Sequence, residues 1–431
     1  MSQYKAYPAY KDSGVEWIGQ VPEHWEVKPI CRVTSVNDDA LSDSTTGSTR
    51  ISYVDISSVG YAEGIKQATE MAFEDAPSRA RRKASTGDVV VSTVRTYLKA
   101  VAAVTDEYAD CIFSTGFAVL RARQLEQSFL KWMILNELLI QSIEAHSEGL
   151  SYPAINASAL VKLKSVIPPP EEQATIAATL DRETARIDAL VEKKTRFIEL
   201  LKEKRQALIT HAVTKGLDPN VNMKDSGIEW IGEVPEHWEV KPFFALVTEL
   251  NRKNVGLVET NILSLSYGNI IQKPETRNMG LTPESYETYQ IVESGEIVFR
   301  FTDLQNDKRS LRSAQVTQRG IITSAYMAVK PQSIDSTYFA WLMRSYDLCK
   351  VFYAMGGGLR QSLKFEDVRR LPVLIPPVDE QSAITNTINA GTARIDALVE
   401  KTEQSITLLK ERRAAFITAA VTGQIDLRGK Q

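Results

Sequence analysis

The chain has 431 residues, and its composition of 43% hydrophobic and 24% charged residues excludes wholesale disorder and collagen-like repeats. Its 51 Lys and Arg against 54 Asp and Glu give a formal net charge of -3, so a nucleic-acid site would have to rest on local clusters rather than on total charge. Three well-separated cysteines, Cys31, Cys111 and Cys349, exclude a disulfide framework and a CxxC zinc site.

The length of the chain and the hydropathy of its segments limit the number of domains and the expected location. At ~150 residues per domain, the length predicts about two to four domains. The sequence has no apolar run of the ~20 residues that a membrane-spanning helix needs. The first residues, MSQYKAYPAYKDSG, lack the apolar core of a signal peptide. We therefore expect a reduced, cytoplasmic location.

The first predicted element is an opening segment, residues 11–29, that the chain repeats at residues 224–242. The copies KDSGVEWIGQVPEHWEVKP and KDSGIEWIGEVPEHWEVKP agree at 17 of 19 positions. Their aromatic and imidazole residues are Trp17, His24, Trp25, Trp230, His237 and Trp238. No cysteine or second histidine lies at metal-ligand spacing. We interpret the segment as a packing clip whose tryptophans are buried against their own domain.

The interior that follows each opening segment has a mixed α/β pattern. In the first interior, GDVVVSTVRTYLKAVAAV at 87–104 predicts a strand, a turn and another strand, and residues 124–145 are predicted to be helical. In the second interior, GEIVFRF at 295–301 and the stretch 337–352 occupy comparable places. The two interiors share almost no sequence, although the segments that frame them are nearly identical.

A second repeated block ends each interior and predicts the start of a long helix. IPPPEEQ at 167–173 returns as IPPVDEQ at 375–381, and TARIDALVEK at 184–193 returns unchanged at 392–401. The prolines stop a strand, and carboxylates then fall in the first helical turn, where the helix dipole favours them. We interpret these carboxylates as helix caps rather than as catalytic acids: Glu171, Glu172, Asp379 and Glu380.

Apolar residues in these blocks follow the alternating four-three spacing of a heptad seam. The seam residues of the first copy are Ile176, Leu180, Ile187, Leu190, Phe197, Leu201 and Leu208, and those of the second are Ile384, Ile388, Ile395, Leu398, Leu409 and Phe416. Polar residues interrupt the first seam at Glu183, Lys194 and Lys204, and Ser405 replaces Phe197 in the second copy. A helix from Glu171 to His211 is ~60 Å long at 1.5 Å per residue.

The linker and the tail predict how the two helices are arranged. The linker 214–223 is short and carries Gly216 and Pro219, so the second helix must return antiparallel to the first. The tail VTGQIDLRG at 421–429 resembles VTKGLDPNV at 213–221, which predicts that the C-terminus ends beside the first domain. The expected fold is mixed α+β: two α/β domains joined by a long antiparallel two-helix coiled coil, in a nearly closed ring with a pseudo-twofold axis. The expected bounds are a first domain at 1–168, a spacer helix at 169–213, a linker and second domain at 214–376, a second spacer helix at 377–422 and a tail at 423–431.

Catalytic motifs are missing from the sequence. It has no GxxxxGK[ST] phosphate loop, GxSxG elbow or HExxH motif, and no GxGxxG opens a helix after a strand. Four histidines are too few for most acid–base or metal sites. A stand-alone enzyme is therefore the least favoured function, and we assign no catalytic or metal-binding residue.

Basic residues cluster in the two interiors rather than in the repeated frame. With their neighbouring polar residues, the clusters comprise Arg79, Arg81, Arg82, Lys83, Arg95, Tyr97, Lys99, Arg252, Lys253, Asn254, Arg300, Lys308, Arg309 and Arg312. A triple glycine at 356–358 leads into Arg360 and Gln361, a loop that by itself does not establish a phosphate site. A solvated charged face explains each cluster singly. Together they favour DNA reading, in which Lys and Arg contact phosphates while Arg, Asn and Gln reach base edges.

The repeated frame resembles the specificity subunit of type I restriction–modification systems. The resemblance rests on GVEWIGQVPEHWEV, its copy GIEWIGEVPEHWEV, and the two IPPxxEQ…ARIDALVEK helices, and it covers nearly the whole chain. It implies a non-catalytic subunit that reads double-stranded DNA, in which each variable domain recognises one half of a bipartite, asymmetric target. The helices would serve as spacer and docking site.

The resemblance also implies partners. Two copies of an S-adenosylmethionine-dependent adenine methyltransferase subunit would join the chain, and ATP- and Mg²⁺-dependent translocating endonuclease subunits would be added in a restricting complex. No cofactor is expected on this chain itself. Two unlike domains on a rigid spacer would meet half-sites about one helical turn apart, ~34–36 Å, on one face of the duplex.

A protein-interaction scaffold is the alternative function. In that case the coiled coil would join partners and the globular domains would bind protein rather than DNA. The net charge of -3 favours this alternative mildly. Retardation of duplex DNA by the purified complex with its methyltransferase would separate the two hypotheses.

Overall fold

The computed structural model describes residues 4–61, 63–273, 285–304, 310–355 and 362–429. It shows a mixed α+β fold that divides into two compact units. The first unit comprises Met1–Lys194 with Gln404–Gln431, and the second comprises Thr195–Glu403. Because two long helices cross these bounds, each helix contributes one half to each unit.

The first unit contains short strands, three short helices and the first half of a long helix. The strands are β1 Tyr10–Asp12, β2 Gln20–Pro22, β3 Glu26–Pro29, β4 Thr34–Val36, β5 Arg50–Val54, β6 Val59–Gly60, β7 Gly64–Ile65, β8 Thr69–Ala72, β9 Ala80–Lys83, β10 Val89–Ser92, β11 Val101–Ala103, β12 Ile112–Ser114, β13 Phe117–Ala122 and β14 Lys164–Ile167. The helices are α1 Gln127–Ile134, α2 Glu137–Ala145, α3 Ala157–Leu160 and the long α4 Pro170–Lys215. Short 3₁₀ turns lie at Ile30–Arg32, Ile56–Ser58, Phe73–Asp75, Thr96–Leu98 and Asp106–Tyr108.

The second unit repeats this plan with different interior residues. Its strands are β15 Met223–Asp225, β16 Glu233–Pro235, β17 Glu239–Pro242, β18 Val247–Leu250, β19 Leu263–Ser266, β20 Asn269–Gln272, β21 Gln290–Val292, β22 Ile297–Phe299, β23 Ser313–Gln315, β24 Gly320–Ile322, β25 Met327–Pro331 and β26 Pro372–Ile375. Its helices are α5 Ser336–Leu348, α6 Val351–Met355, α7 Phe365–Val368 and the long α8 Val378–Val421. Short 3₁₀ turns lie at Phe243–Ala245, Val255–Leu257 and Tyr286–Thr288.

Each unit is built around a four-stranded antiparallel sheet. The strand order is β11-β10-β13-β4 in the first unit and β23-β22-β25-β18 in the second. The first unit has a second four-stranded sheet, β8-β5-β12-β9, in which only β5 and β12 run parallel. The strand before each long helix pairs with the end of the opening segment, β14 with β3 and β26 with β17.

The central strand of each sheet is buried on both faces. In β10, Val89 and Val91 face a core that includes α1, whereas Val90 faces the core between the two sheets. In β22, Ile297 and Phe299 face one core and Val298 faces another. Such strands read as continuous apolar runs because neither face meets water.

The long helices pack against each other inside each unit. In the first unit Arg413 of α8 lies 3.0 Å from Asp188 of α4, and in the second Arg205 of α4 lies 3.4 Å from Asp396 of α8. Most predicted seam residues are buried or half-buried: Ile176, Leu180, Ile187, Leu201, Leu208, Ile384, Ile388, Ile395, Leu409 and Phe416. The prediction is wrong for three mid-helix residues, because Leu190, Phe197 and Leu398 remain 41%, 44% and 38% exposed.

Several predicted elements are confirmed, with shifts at their ends. Strands β10 and β11 pair as an antiparallel hairpin, as the pattern at 87–104 predicts, and the connection between them contains the 3₁₀ turn Thr96–Leu98. The predicted helix at 124–145 is two helices, because the Asn136 side chain caps a new helix by accepting from the Leu138 backbone N–H. The tail is held beside the first domain, where the Asp426 backbone N–H donates to the Lys5 carbonyl at 2.8 Å. None of the described helices is long and apolar enough to cross a membrane.

The repeated glutamates at the helix starts are acceptors for the opening segment. Glu172 accepts from His24 Nε2 at 2.6 Å and from Trp25 Nε1 at 2.9 Å, and Glu380 accepts from His237 at 2.5 Å and from Trp238 at 2.9 Å. The residue before each helix is a proline, Pro169 or Pro377, which has no N–H for a capping box to satisfy. The capping interpretation is therefore corrected for both glutamates.

The predicted burial of the tryptophans in the opening segment is confirmed for two of the four. Trp25 and Trp238 are fully buried, but Trp17 is half-buried and Trp230 is 39% exposed, packed edge-on against the Tyr346 ring. The burial of Trp25 and Trp238 is compatible with their polar indole N–H groups, because each N–H donates to a helix-start glutamate.

Candidate nucleic-acid interface

A polar cleft lies at one end of the four-stranded sheet of the first unit. It opens where β4 and β10 end and β13 begins, and the residues that lead into α3 also line it. Its volume is about 450 Å³, and its polar lining includes Asn37, Arg82, Thr93, Thr115, Glu148 and Asn156.

The second unit has a cleft at the same end of its own four-stranded sheet. This cleft opens where β18 and β22 end and β25 begins, and residues that lead into α7 line it. Its volume is about 390 Å³, and its polar lining includes Glu249, Asn251, Gln290, Ser324, Tyr326 and Lys364. The two units therefore place polar clefts at corresponding positions although their lining residues differ.

Arg82 and Gln290 occupy corresponding places in the two clefts. Arg82 of β9 pairs with Ala40 in the segment after β4, and Gln290 of β21 pairs with Lys253 in the segment after β18. Arg82 Nε and Gln290 Oε1 are buried and have no hydrogen-bond partner among the described residues. Because each of these residues also lines its cleft, an unpaired donor in one cleft and an unpaired acceptor in the other are available to an external polar group.

The predicted cluster at 79–83 borders the first cleft. The Thr115 backbone N–H donates to the Arg79 carbonyl at 2.7 Å, which fixes β9 against the cleft wall. The Arg79 side chain is 55% exposed and lies 3.3 Å from Asp55. Its hydrogen bond to Tyr53 and the charge of Asp55 raise the pKa of Arg79. The guanidinium is thus a permanent, accessible cation.

Arg81 and Lys83 complete this cluster. Arg81 is half-buried, with its guanidinium 4.8 Å from the centre of the Phe73 ring and 3.9 Å from Asp43. Lys83 is exposed. Both belong to β9, so they are presented from the same strand as Arg82.

The turn between β10 and β11 carries the second predicted cluster. Arg95 and Lys99 adopt left-handed backbone conformations, with φ of 50° and 49°. Such conformations cost non-glycine residues about 1 kcal/mol or more and tend to be kept at functional sites. The turn is held in place because the Thr96 hydroxyl donates to Ser147 Oγ at 2.9 Å. Lys99 is tied down by Glu137 at 2.6 Å, a hydrogen bond that raises the pKa of Lys99.

Exposed rings and apolar side chains surround this turn. Tyr97 is 53% exposed and Leu98 is 44% exposed. From the neighbouring connection, Tyr152 is 64% exposed, and the Arg95 guanidinium lies 4.8 Å from the centre of its ring. Exposed rings and apolar side chains beside cations can contact duplex DNA, because apolar groups pack on thymine methyl groups in the major groove while cations meet phosphates.

In the second unit, Arg252 and Lys253 lie in the segment after β18. Arg252 forms an ion pair with Glu296 and donates to the Ile291 carbonyl at 3.2 Å. Its charge is therefore largely neutralised. Lys253 is exposed, next to the cleft residue Asn251 and paired through its backbone with Gln290.

Two predicted contact residues are interior residues. Asn254 is fully buried, and its amide donates to the Glu259 carbonyl at 2.9 Å and accepts from the Glu259 backbone N–H at 3.0 Å. Arg312 is also fully buried, and its guanidinium donates to the carbonyls of Thr302 at 3.0 Å and Asp303 at 3.3 Å. Both side chains hold loops together, so they are removed from the set of candidate DNA contacts.

Of the remaining predicted residues, only Arg300 lies in the part of the chain that the structure describes. Arg300 is half-buried, directly before the cleft residue Phe301. Lys308 and Arg309 follow in the connection from β22 to β23, and Arg360 and Gln361 precede α7; these four lie outside the described residues. By strand order, these two connections correspond to the β10–β11 turn and to the segment before α3 in the first unit.

Sequence reasoning missed several residues that the structure brings to the clefts. Asn37 and Asn251 each follow the edge strand of their sheet, and Tyr152 lies beside the β10–β11 turn. Gln290 was missed because a single polar residue at the start of an apolar strand carries no signal in the sequence. Charge clusters were the visible signal, and charge alone does not show which residues share a cleft.

Comparison with known proteins was made on the whole chain. No family model matches it. A curated protein of Methanocaldococcus jannaschii, named "Putative type I restriction enzyme MjaX specificity subunit", is 23% identical over 440 residues, covering 95% of this chain and 96% of that protein. The resemblance indicated by the repeated frame is thus confirmed along nearly the whole chain.

Two solved chains share the fold. One, from "Structural basis underlying complex assembly and conformational transition of the type I R-M system", is 18% identical with a TM-score of 0.71, covering 95% of this chain and 99% of that chain. The other, from "Crystal structure of HsdS subunit from Thermoanaerobacter tengcongensis", is 20% identical with a TM-score of 0.53, covering 94% of this chain and 98% of that chain.

Proposed function

We propose that the chain is the DNA-reading specificity subunit of a type I restriction–modification system. Each unit reads one half of a bipartite, asymmetric target, and the chain itself catalyses no reaction. The whole-length resemblance to a curated protein named as such a subunit supports this proposal. So does the fold shared with a chain described as an HsdS subunit.

The pair of corresponding clefts is the observation that carries the proposal. Each unit presents an unpaired polar atom, Arg82 Nε or Gln290 Oε1, in a cleft at the same end of its sheet. Base edges in the major groove offer acceptors and donors that such atoms recognise, guanine N7 and O6 for arginine, and the adenine amino group for glutamine. Because one atom is a donor and the other an acceptor, the two half-sites should differ in sequence.

Basic residues at the borders of the clefts supply the part of binding that does not depend on sequence. Arg79, Lys83 and Arg95 are exposed around the first cleft, and Lys253 beside the second. Cations in such positions meet phosphates and set the orientation of the duplex, while the clefts discriminate bases. The net charge of -3 does not oppose this role, because binding depends on the local potential.

The long helices would form the spacer between the two readers. We propose that α4 and α8 form an antiparallel coiled coil with pseudo-twofold symmetry. The contacts of Asp188 with Arg413 and of Arg205 with Asp396 support this arrangement, since residue numbers rise along one helix as they fall along the other. The predicted division at 1–168, 169–213, 214–376, 377–422 and 423–431 remains a prediction; the helices themselves span Pro170–Lys215 and Val378–Val421.

Partner subunits would supply the chemistry. We propose that two adenine methyltransferase subunits, which use S-adenosylmethionine, dock on the helices, and that ATP- and Mg²⁺-dependent endonuclease subunits join in a restricting complex. The exposed apolar side chains of Leu190, Phe197 and Leu398 on the helices are available to such a partner. The cytoplasmic location remains a prediction.

Methylome sequencing tests the proposal. The chain is expressed with its methyltransferase partner, and the methylated motif is compared between the unmodified chain, Arg82→Ala and Gln290→Ala. Each variant should relax one base position, Arg82→Ala in one half-site and Gln290→Ala in the other, because a base contact contributes ~1–3 kcal/mol of discrimination. Arg50→Ala and Gln272→Ala, at exposed positions outside the clefts, are the matched controls and should leave the motif unchanged. Thermal unfolding verifies that each variant is folded.

The same preparation separates DNA reading from the scaffold alternative. The complex should retard duplex DNA that contains the methylated motif more strongly than a scrambled duplex. Equal retardation of both duplexes, or relaxation of the same half-site by both variants, would contradict the proposal. No retardation at all would favour the scaffold, which the exposed apolar residues of the helices also allow.

A further inference from the structure

The first unit buries a tyrosine from the N-terminal segment against the start of α4. Tyr7 is 4% exposed, and its hydroxyl donates to Glu172 Oε2 at 3.0 Å. Its ring packs on Trp25 and His24, with ring centres 5.4 Å and 5.7 Å apart. From the tail, the Arg428 guanidinium lies 4.8 Å from the centre of the Tyr7 ring. Burial, and next the negative charge of Glu172, raise the pKa of Tyr7, so its hydroxyl stays a donor.

In the first unit, the N-terminal segment and the tail together build this arrangement, whereas in the second unit the linker 216–222 takes the place of both. In the first unit the N-terminal segment and the tail lie side by side, paired at Lys5 and Asp426. In the second unit the linker 216–222 continues directly from α4 into β15. When the opening segments 11–29 and 224–242 are aligned, Asn220 corresponds to Tyr7, and when 213–221 is aligned with the tail 421–429, Asn220 corresponds to Arg428. The Asn220 side chain is exposed. No aromatic side chain of the linker therefore fills this place.

A cleft of about 220 Å³ remains at that place in the second unit. Its walls include the apolar Leu217, Val221 and Ile384, and its polar groups include Asp218, His237 and Glu380. The Glu380 side chain is 40% exposed, whereas its counterpart Glu172 is 6% exposed. The second unit thus retains the glutamate and the histidine that contact Tyr7 in the first unit, but no side chain of the described residues covers them.

We propose that this cleft binds a tyrosine side chain of a partner polypeptide that carries a basic residue close to the tyrosine. Glu380 would accept the tyrosine hydroxyl, as Glu172 does in the first unit, while His237 and the apolar walls of the cleft would meet the ring. Asp218 lies at the rim, where Asp426 holds Arg428 in the first unit, and so favours a cation. The occupant is a partner polypeptide because the chain's own Tyr7 is buried in the first unit.

A peptide titration of the full chain tests this proposal. The probe is the fluorescently labelled pentapeptide Lys-Ala-Tyr-Pro-Ala, the sequence of residues 5–9, and the matched probe has phenylalanine in place of tyrosine. The tyrosine peptide should bind at least about fivefold more tightly, because a hydrogen bond to a charged acceptor contributes roughly 1.5–3 kcal/mol, or about tenfold or more in affinity.

A blocking variant localises the binding. Ala383 lines the cleft from the exposed surface of α8, so Ala383→Trp should lower the affinity for the peptide at least about tenfold. Ser382 is also exposed but does not line the cleft, so the control Ser382→Trp should change the affinity less than about twofold. DNA retardation by both variants should stay as in the unmodified chain.

Three results would overturn the proposal. Absence of peptide binding at millimolar concentration would show that the cleft receives no tyrosine. Equal binding to the Ala383→Trp and Ser382→Trp variants would place the peptide elsewhere. Concentration-dependent dimerisation that Ala383→Trp abolishes would assign the cleft to a second copy of this chain instead of a partner polypeptide.

Discussion

At the scale of single residues, the repeated motifs of the frame form one connected contact at each helix start. Gln173 donates to the Pro168 carbonyl and accepts from the Glu126 backbone N–H at 2.8 Å. Gln381 does the same with Pro376 and with the Asp335 N–H, also at 2.8 Å. Glu126 and Asp335 precede α1 and α5, so each glutamine ties a helix of the variable interior to a long helix. This explains why the EQ pair occurs in both copies.

Glu172→Gln should destabilise the first unit by about 1–3 kcal/mol. The carboxylate accepts from Tyr7, His24 and Trp25 inside the unit, and an amide would turn an N–H₂ donor toward at least one of these donors. The measurement is the free energy of unfolding in urea. Glu171→Gln is the matched control, because Glu171 is exposed, and its effect should stay within about 0.5 kcal/mol. Equal effects of the two variants would show that Glu172 acts only through the helix dipole.

At the scale of elements, the sequence pattern predicted the elements formed by neighbouring residues but missed the pairings between distant strands. The β10–β11 hairpin and the long helices follow from residues close in sequence, so apolar spacing was sufficient. The parallel pairing of β5 with β12 joins residues almost sixty positions apart, and no local signal announces it. Arg312 was misjudged for the same reason, since its backbone N–H donates to Asp347 and its guanidinium donates to the hydroxyl of Tyr353, both far away in sequence.

The β10–β11 turn should contribute to DNA binding through both charge and apolar contact. Arg95→Ala should weaken binding and reduce the slope of log affinity against log salt by about 0.9 if the guanidinium meets one phosphate. Tyr97→Ala should weaken binding with the slope unchanged, because an apolar contact of the ring with the duplex releases no counterion. Both are measured by fluorescence anisotropy at several salt concentrations. Arg50→Ala, on the exposed strand β5, is the control. An unchanged slope in Arg95→Ala would remove this residue from the phosphate contacts.

At the scale of the whole molecule, a nearly constant frame carries two unlike interiors. The frame was readable from the sequence because repetition itself is a signal, independent of any single residue. The clefts were not readable, because their residues come from strands whose order in the sheet is set by pairing between distant segments. Arg82 and Gln290 occupy equivalent places in the two clefts, although the sequences around them are not similar.

If the long helices set the spacing between half-sites, their length should set the number of unread base pairs. Inserting one heptad into each helix, after Val191 and after Val399, preserves the seam and adds ~10.5 Å, or about 3 base pairs. Methylome sequencing should show a gap longer by about 3 base pairs between unchanged half-sites. Replacing seven residues at the same places without insertion is the control. A changed half-site with an unchanged gap would contradict the role of the helices as a spacer.

Each long helix contributes residues to both units, and this determines the order in which the two units can be completed during synthesis. Residues 195–403 are contiguous, whereas the first unit needs residues 404–431 as well as 1–194. During synthesis, the core of the first unit therefore cannot be completed until residues 404–431 have been made. The second unit, although it follows in the sequence, has all of its residues before then, and a chain that stops at residue 403 would leave the first unit without its part of α8.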